Sequence, residues 1–301
     1  MSLPKTGVVV KTYGGFCYIA EKDNSTEHSQ LIEATLRGRL KLEQSKLPPV
    51  IVGDIVEYEF IKSSPVITKV YPRKTKLFRP PVANINQVVL VAAAGSPPPD
   101  LLLLDKILVQ AEANGIDVLV VINKVDKAQE KVLTELQKHF SSTDYSVICS
   151  SAIKGIGLDK LAQALVGRFS VLAGPSGVGK SSLIKGLVPD YQGKVQSVSA
   201  KTERGRHTTR HVELLSLPLG GYLADTPGFS QISVAGIDVQ QLPGYFPEFN
   251  QFSRKCRFTS CLHGPEPGCK VKEALENGII SRTRYANYCQ ILAEIKALKK
   301  W

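Results

Sequence analysis

The sequence predicts a chain of three parts: a small β-barrel, an α/β region with a mostly parallel sheet, and a helical C-terminal region with a cysteine cluster. Short strand-like runs between turn signals fill residues 1–72. Over residues 73–231, apolar strands alternate with helical stretches, a pattern typical of a parallel sheet covered by helices. Residues 232–301 hold clustered cysteines and then two helical stretches. We therefore expect a multidomain chain with these three domains.

The composition and the short apolar runs argue against a membrane-spanning protein. The 301 residues are 43% hydrophobic and 22% charged, as in an ordinary globular protein. The N-terminus does not resemble a signal peptide, and no apolar run is long enough to span a bilayer. We expect a cytoplasmic monomer without a membrane partner. The net charge of +11 favours a polyanionic partner, although charge alone does not separate nucleic acid from an anionic membrane surface or a nucleotide.

The N-terminal region is expected to form an OB-fold, with an SH3-like barrel as the alternative. The predicted strands cover residues 7–11, 16–20, 34–40, 54–60 and 66–70. Arg37, Arg39 and Lys41 alternate along one of them and would share one face. That face suits RNA binding, and the simpler interpretation is a solvated strand edge.

The central region is predicted to alternate between strands and helices. Strands are predicted at residues 87–94, 117–122, 145–149, 170–173 and 222–224, and helices at 100–113, 128–140, 158–166 and 180–187. The carboxyl ends of parallel strands meet at one edge of a sheet, so the loops that follow them can build one site.

A phosphate-binding loop lies between the strand at 170–173 and the helix at 180–187. Its sequence fits G-x-x-x-x-G-K-[S/T], and the expected phosphate-binding residues are Gly174, Pro175, Ser176, Gly177, Val178, Gly179, Lys180, Ser181 and Ser182. Backbone N–H groups would surround the phosphates, Lys180 would reach the β- and γ-oxygens as a catalytic residue, and Ser181 would bind Mg²⁺.

A guanine-reading motif stands earlier in the chain, directly after a predicted strand. Asn123, Lys124 and Asp126 form N-K-x-D, in which the Asp126 carboxylate accepts from the two guanine donors that adenine lacks. Lys124 would lie over the base. After the next strand come Ser151 and Ala152, which we call the S-A motif. A backbone N–H of this motif is expected to contact the guanine O6.

Two further segments complete the nucleotide motifs. Asp225 and Gly228 form D-x-x-G after a strand, so Asp225 is expected at Mg²⁺ and the Gly228 N–H at the γ-phosphate. Thr208 or Thr209, in the loop between this motif and the P-loop, would complete the magnesium shell, and Thr209 is favoured.

The C-terminal cluster predicts one structural zinc ion. Cys256, Cys261, His263 and Cys269 supply a closed set of four ligands, which leaves no open position for catalysis. The basic and aromatic residues of the last helical stretch, namely Arg282, Arg284, Tyr285, Tyr288, Lys296, Lys299 and Lys300, are interpreted as RNA contacts, with some aromatics in the core.

The motifs run in the order N-K-x-D, S-A, P-loop, threonine, D-x-x-G, which is a circular permutation of the usual order of P-loop GTPases. With the zinc cluster and the N-terminal barrel, the whole chain resembles the RsgA family, also called YjeQ or YloQ, of bacterial GTPases. Another permuted family, typified by YlqF, lacks the cluster and the barrel and fits worse. The resemblance implies GTP hydrolysis stimulated by the small (30S) ribosomal subunit, contact with its 16S rRNA, and release of other assembly factors.

The residue after Gly228 is Phe229, where many GTPases carry a water-orienting glutamine. His207, beside the threonines, is the candidate for that role, and RNA or solvent contact explains it equally well. Two rival functions stay open from the residues alone: an RNA-binding assembly module that uses GTP as a structural ligand, and an ATP-dependent enzyme, against which Asp126 argues.

Overall fold

The structure is a computed structural model, and it describes residues 3–21, 31–38, 48–78, 81–189, 191, 212–225, 234 and 236–298. The chain forms two compact units. The first comprises residues 1–87, 159–172 and 187–229, and the second residues 88–158, 173–186 and 230–301. These units do not coincide with the three domains expected from sequence, whose boundaries stay a prediction. None of the helices in the described ranges has the length and apolar character needed to cross a bilayer.

The first unit begins with a closed five-stranded barrel. Its strands are β1 (Lys5–Tyr13), β2 (Phe16–Glu21), β3 (Ile32–Leu36), β4 (Ile55–Ile61) and β5 (Ser64–Val70). Antiparallel pairs join β1 to β2 and β4, β2 to β3, and β4 to β5, and a parallel pair joins β3 to β5. Pairing of β1 with β4 closes the sheet on itself, which removes its free edges. The expected OB-like barrel is confirmed.

Alternation along the strands sends one set of side chains into the barrel. Val9, Ile19, Tyr58 and Ile67 are buried together there. The Tyr58 hydroxyl donates to Glu21 Oε1 at 2.5 Å, so the one polar group of this interior tyrosine is satisfied.

Further strands extend the first unit. A hairpin joins β6 (Lys76–Phe78) to β7 (Pro81–Ala83), and α3 (Leu158–Ala164) precedes β11 (Phe169–Ala173). Strand β13 (Tyr222–Asp225) pairs parallel with β11 and antiparallel with β12 (Glu213–Ser216). Strand β12 also pairs with the barrel strand β1, where Lys11 lies opposite Glu213. The sequence analysis did not anticipate β12, because it is a short segment that is ordered by its neighbours on both sides.

The second unit contains three neighbouring strands and their helices. Its elements are β8 (Gln87–Ala93), α1 (Leu101–Ala113), β9 (Asp117–Asn123), α2 (Glu130–Phe140), β10 (Ser146–Cys149) and α4 (Lys180–Leu187). Strand β9 lies between β8 and β10, and its pairing with β10 is parallel. Every residue of β8 is buried, as expected for a strand covered on both faces.

The C-terminal part of the second unit is helical. It contains short 3₁₀-helices at Leu242–Tyr245 and Pro247–Phe249, then α5 (Asn250–Ser253), α6 (Lys270–Glu276) and α7 (Arg282–Leu298). Phe246, Phe249, Tyr288 and Ile291 form its core, and Val109 of α1 belongs to the same cluster. Helices α1 and α7 are therefore packed around one apolar core.

Candidate nucleotide site and metal centre

The P-loop depends on glycine for its shape. Gly174 has φ 139°, and a Cβ there would lie 2.2 Å from the Val91 carbonyl oxygen. Gly179 has φ 99°, and a Cβ there would lie 2.3 Å from Asn123 Nδ2. Any other residue type would be strained at both positions and would displace the neighbouring strand or Asn123.

Lys180 is the first residue of α4 and lies partly buried in the loop. Its Nζ donates to the carbonyl oxygens of Gly174 and Pro175, each at 2.7 Å. Burial lowers the pKa of Lys180 from its ordinary value. To reach a phosphate the ammonium must exchange these carbonyls for phosphate oxygens, which are stronger acceptors. Ser181 and Ser182 follow on the same first turn.

Asn123 joins three of the sequence motifs. Its Nδ2 donates to the Val178 carbonyl of the P-loop at 2.9 Å, and its Oδ1 accepts from Ser150 Oγ at 3.1 Å and from the Ala152 N–H at 3.2 Å. The side chain is only 1% exposed. A buried amide with donor and acceptor both used fixes the relative position of its partners. The phosphate loop and the guanine loops are therefore one assembled structure.

Lys124 and Asp126 follow Asn123 in a sharp turn. Lys124 has φ 64°, and its Nζ donates to the Ser96 carbonyl at 2.7 Å. The exposed Asp126 carboxylate accepts from Ser151 Oγ at 2.5 Å, and this hydrogen bond lowers the pKa of Asp126. Asp126 is thus an ionised acceptor with a fixed orientation, which suits reading of the guanine donors.

The backbone N–H groups of the S-A segment, residues 150–152, donate to acceptors within the chain. The N–H groups of Ser150, Ser151 and Ala152 donate to Ile122 O, Ile156 O and Asn123 Oδ1, respectively. Contact between an N–H here and a guanine oxygen stays a prediction, and at Ala152 it requires sharing of that hydrogen bond. Sequence reasoning missed that the Ser150 and Ser151 hydroxyls hold Asn123 and Asp126.

The magnesium and γ-phosphate segments are less fully described. Asp225 ends β13, and its side chain lies outside the described residues. His207, Thr208, Thr209, Gly228 and Phe229 also lie outside them. The roles given to these residues stay predictions.

The four predicted zinc ligands do come together. The ligand atoms of Cys256, Cys261, His263 and Cys269 all lie within 4.8 Å of one another. His263 Nδ1 is 3.7 Å from Cys256 Sγ and 3.4 Å from Cys269 Sγ. Three sulfurs and one imidazole nitrogen form the donor set typical of structural zinc.

The surroundings of His263 favour a metal at Nδ1. The Ser253 hydroxyl donates its proton to the Phe249 carbonyl at 2.9 Å, so at 3.1 Å it accepts from His263 Nε2–H. The lone pair is then at Nδ1, which faces the sulfurs. Burial lowers the pKa of His263 and raises that of Cys261 to about 12. The imidazole is therefore neutral, while the Cys261 thiol needs the charge of a metal ion to ionise.

Comparison with known proteins identifies the family. Residues 70–235 match the model of the "RsgA GTPase" family and residues 6–65 that of the "RsgA N-terminal domain". The chain belongs to the RsgA GTPase family. The "Small ribosomal subunit biogenesis GTPase RsgA" of Carboxydothermus hydrogenoformans is 43% identical over 96% of this chain and 97% of its own. The protein of the same name from Alkaliphilus metalliredigens is 40% identical over 98% and 99%.

Solved structures of RsgA-family proteins have the same fold. The crystal structure of YjeQ from Thermotoga maritima has a TM-score of 0.83 and 36% identity, and the alignment covers 97% of this chain and 99% of that chain. That of "YloQ, a circularly permuted GTPase" has a TM-score of 0.81 and 31% identity, covering 98% and 96%. The fold class, the resemblance and the prediction of a GTP hydrolase are confirmed.

One surface interpretation is wrong. Arg284, expected among the RNA contacts of the last helix, is 0% exposed, whereas the burial of Tyr288 agrees with the expectation that some aromatics of this helix lie in the core. Arg284 is held by the carboxylates of Asp105 and Glu248, and the Tyr288 hydroxyl donates to the Leu262 carbonyl at 2.6 Å. The spacing of basic residues gave no indication of burial, because the acidic partners come from distant segments. Arg282 and Lys296 are exposed.

Proposed function

We propose that this GTPase acts in the assembly of the small ribosomal subunit. It binds the 30S subunit and its 16S rRNA, hydrolyses GTP when so bound, and promotes release of other assembly factors during late maturation. Support comes from the relatives of near-identical length whose names state small-subunit biogenesis. A factor of this kind works in the cytoplasm, and we propose that it acts as a monomer.

The observation that carries the nucleotide chemistry is the position of Asn123. One buried side chain bonds both the P-loop and the S-A segment, so the groups for the phosphates and for the base are held together before nucleotide binds. Asp126 reads the guanine edge, Lys124 covers the base, and the N–H groups of the loop from Gly174 to Ser182 bind the phosphates. The loop is the proposed phosphate site and Asp126 the proposed specificity group.

Magnesium is the proposed cofactor of GTP. Ser181, Thr209 and Asp225 are the residues proposed to hold it, and hydroxyl and carboxylate oxygens are the ligands that this hard cation prefers. When bound, it neutralises charge on the phosphates. Lys180 contributes a second positive charge at the same oxygens.

We propose that GTP hydrolysis depends on the ribosomal subunit, because the residue after Gly228 does not supply a water-orienting side chain. Phe229 cannot orient water, so His207 or a group of the partner does so. Arg37, Arg282 and Lys296 are exposed cations available for rRNA phosphates.

Zinc at the Cys256 cluster is proposed as a structural ion that holds the C-terminal loops.

The experiment is GTP turnover with and without purified small subunits, over a range of salt concentrations. We expect slow intrinsic turnover and strong stimulation by small subunits that weakens as salt rises, because phosphate contacts release counterions. His207→Ala, which leaves GTP binding intact, is expected to lose the stimulation. Stimulation unchanged in His207→Ala would contradict its catalytic role.

A second function makes a different prediction. If the chain is an RNA-binding module with GTP as a structural ligand, small subunits bind it without any rise in phosphate release. Equal turnover with and without subunits, in samples where a pull-down shows binding, would support that alternative and refute stimulated hydrolysis.

A further inference from the structure

A buried polar cluster ties α1 to the C-terminal helices. Asp105 of α1 accepts from Arg284 Nη1 at 2.6 Å and from Asn287 Nδ2 at 2.7 Å. Arg284 also forms a bidentate ion pair with Glu248, in which Nε donates to Oε1 at 2.7 Å and Nη2 to Oε2 at 3.0 Å. His139 of α2 places Nε2 2.8 Å from Asp105 Oδ1. All five side chains are buried, with exposures of 6% or less.

Electrostatics makes this cluster stiff. Burial pushes the pKa of Asp105 upwards, but the charge of Arg284 and the bond from His139 hold it below its ordinary value. Arg284 and Asp105 are therefore both charged in a dry interior. Removing Arg284 would leave the carboxylates of Asp105 and Glu248 buried without their cation, which is strongly destabilising. Helix α1 cannot slide along α7 without losing these bonds.

The other end of α1 borders the nucleotide site. Asp100 caps its first turn, accepting from a backbone N–H at 3.0 Å. Just before it, the Ser96 carbonyl accepts from Lys124 Nζ at 2.7 Å. Pro97 adjoins the P-loop, since a Cβ on Gly177 would lie 3.5 Å from its ring. The segment that leads into α1 thus borders both the base-covering lysine and the phosphate loop.

We propose that Asp105 and Arg284 are positioning residues for the guanine site: the C-terminal helices hold α1, and α1 holds the Ser96–Pro97 segment against Lys124 and the P-loop. Asp105 lies in the second turn of α1, so only a short rigid stretch separates the two ends of the path. A change in the contact between α1 and α7 then changes nucleotide affinity, and bound nucleotide changes the stability of that contact by the same factor. This coupling rests on the proposed nucleotide site.

The first test is GDP binding to the full-length Asp105→Asn variant, by titration at a temperature where the protein is fully folded. Asparagine keeps the shape but loses the charge, and it turns a donor towards the Asn287 amide. We expect the Kd for GDP to rise about tenfold. A purely structural role would lower the fraction of binding-competent protein, which the stoichiometry reports, and would leave Kd unchanged.

A rescue variant separates positioning from general damage. In Asp105→Asn combined with Asn287→Asp, the carboxylate moves across the pair, so the hydrogen bond between positions 105 and 287 and the total charge are both restored. We expect GDP affinity to return to within about twofold of wild type. Tyr58→Phe is the control, because it removes a part-buried hydrogen bond to a carboxylate in the barrel, and we expect its Kd to equal that of wild type.

If Asp105→Asn does not fold, hydrogen exchange on the wild-type protein tests the coupling between α7 and the nucleotide site. Saturating GDP should slow exchange in α7 around Arg284 as well as in the P-loop. Slowing confined to the P-loop refutes the coupling. So does an unchanged Kd in Asp105→Asn, or a raised Kd that the exchanged pair does not restore. Wild-type protein that does not bind GDP refutes the nucleotide site itself and, with it, the coupling.

Discussion

Replacing Asn123 with aspartate changes one atom at the centre of the nucleotide site. In Asn123→Asp the two acceptor contacts, with the Ser150 hydroxyl and the Ala152 N–H, are retained. The donor Nδ2, however, becomes an oxygen that faces the Val178 carbonyl oxygen across 2.9 Å. Two acceptors at that distance repel, and the side chain is almost fully buried, so water cannot separate them.

The magnitude follows from the lost contact. One neutral hydrogen bond contributes about 1 kcal/mol, and a buried carbonyl left without a donor costs about 1–3 kcal/mol more. The lost contact alone therefore costs about 2–4 kcal/mol, and the negative charge that aspartate adds at this buried position increases the cost further. Because the contact exists before nucleotide binds, this sum divides between the free energy of unfolding and the free energy of GDP binding. If all of it appears in binding, GDP affinity falls roughly 30- to 700-fold.

The assay combines denaturant unfolding with GDP titration on the same samples. Asn114→Asp is the matched control, because its Nδ2 also donates to a carbonyl, Gln110 O at 2.7 Å, but in an exposed turn after α1. We expect the control to change both quantities by less than about 0.5 kcal/mol. A combined change of that small size in Asn123→Asp would refute the view that Asn123 holds the P-loop.

Three other predictions concern the metal centre, base specificity and acid stability. Ser253→Ala should lower zinc affinity about 10- to 100-fold in a chelator competition, since His263 loses the acceptor that orients it; equal affinity would show that the hydroxyl is dispensable. Asp126→Asn should weaken GDP binding at least about 100-fold and create binding of xanthosine diphosphate, whose 2-oxo group accepts from the new amide; failure to gain xanthine binding would contradict the base-reading role. Tyr58→Phe should flatten the loss of stability in acid. The Tyr58 hydroxyl, followed by Lys5, lowers the pKa of Glu21, so this stabilisation is present above the ordinary glutamate pKa and is lost as pH falls through the lowered value. Identical slopes of stability against pH in wild type and Tyr58→Phe would exclude that contribution.

The local elements were largely predictable from sequence. The helix expected at 100–113 is observed at Leu101–Ala113 with Asp100 as its cap, and the helix expected at 180–187 is observed unchanged. These segments carry strong local signals, such as a cap or the P-loop motif. Strand β12 was missed because its four residues have no pattern of their own and gain order from strands on either side.

The candidate site was predictable as a set of residues but less so as a set of contacts. The motif spacing identified Asn123, Asp126 and the P-loop, because each follows a strand and the chemistry of guanine and phosphate limits the residue types. It did not show that Asn123 bonds Val178 or that Ser151 holds Asp126. Those contacts depend on side-chain positions from segments about 25 to 55 residues apart.

The family, the permuted order of the motifs and the Cys/His cluster could be recognised from the sequence, because short motifs with specific chemistry are local and need no folded chain to be identified. The positions of the buried charges, in contrast, became known from the folded chain. Arg284 looks like one more surface cation in a basic helix, yet it pairs with Asp105 from 179 positions earlier in the chain. Burial of a charge depends on partners that packing brings together, and a one-dimensional pattern of residue types does not record that.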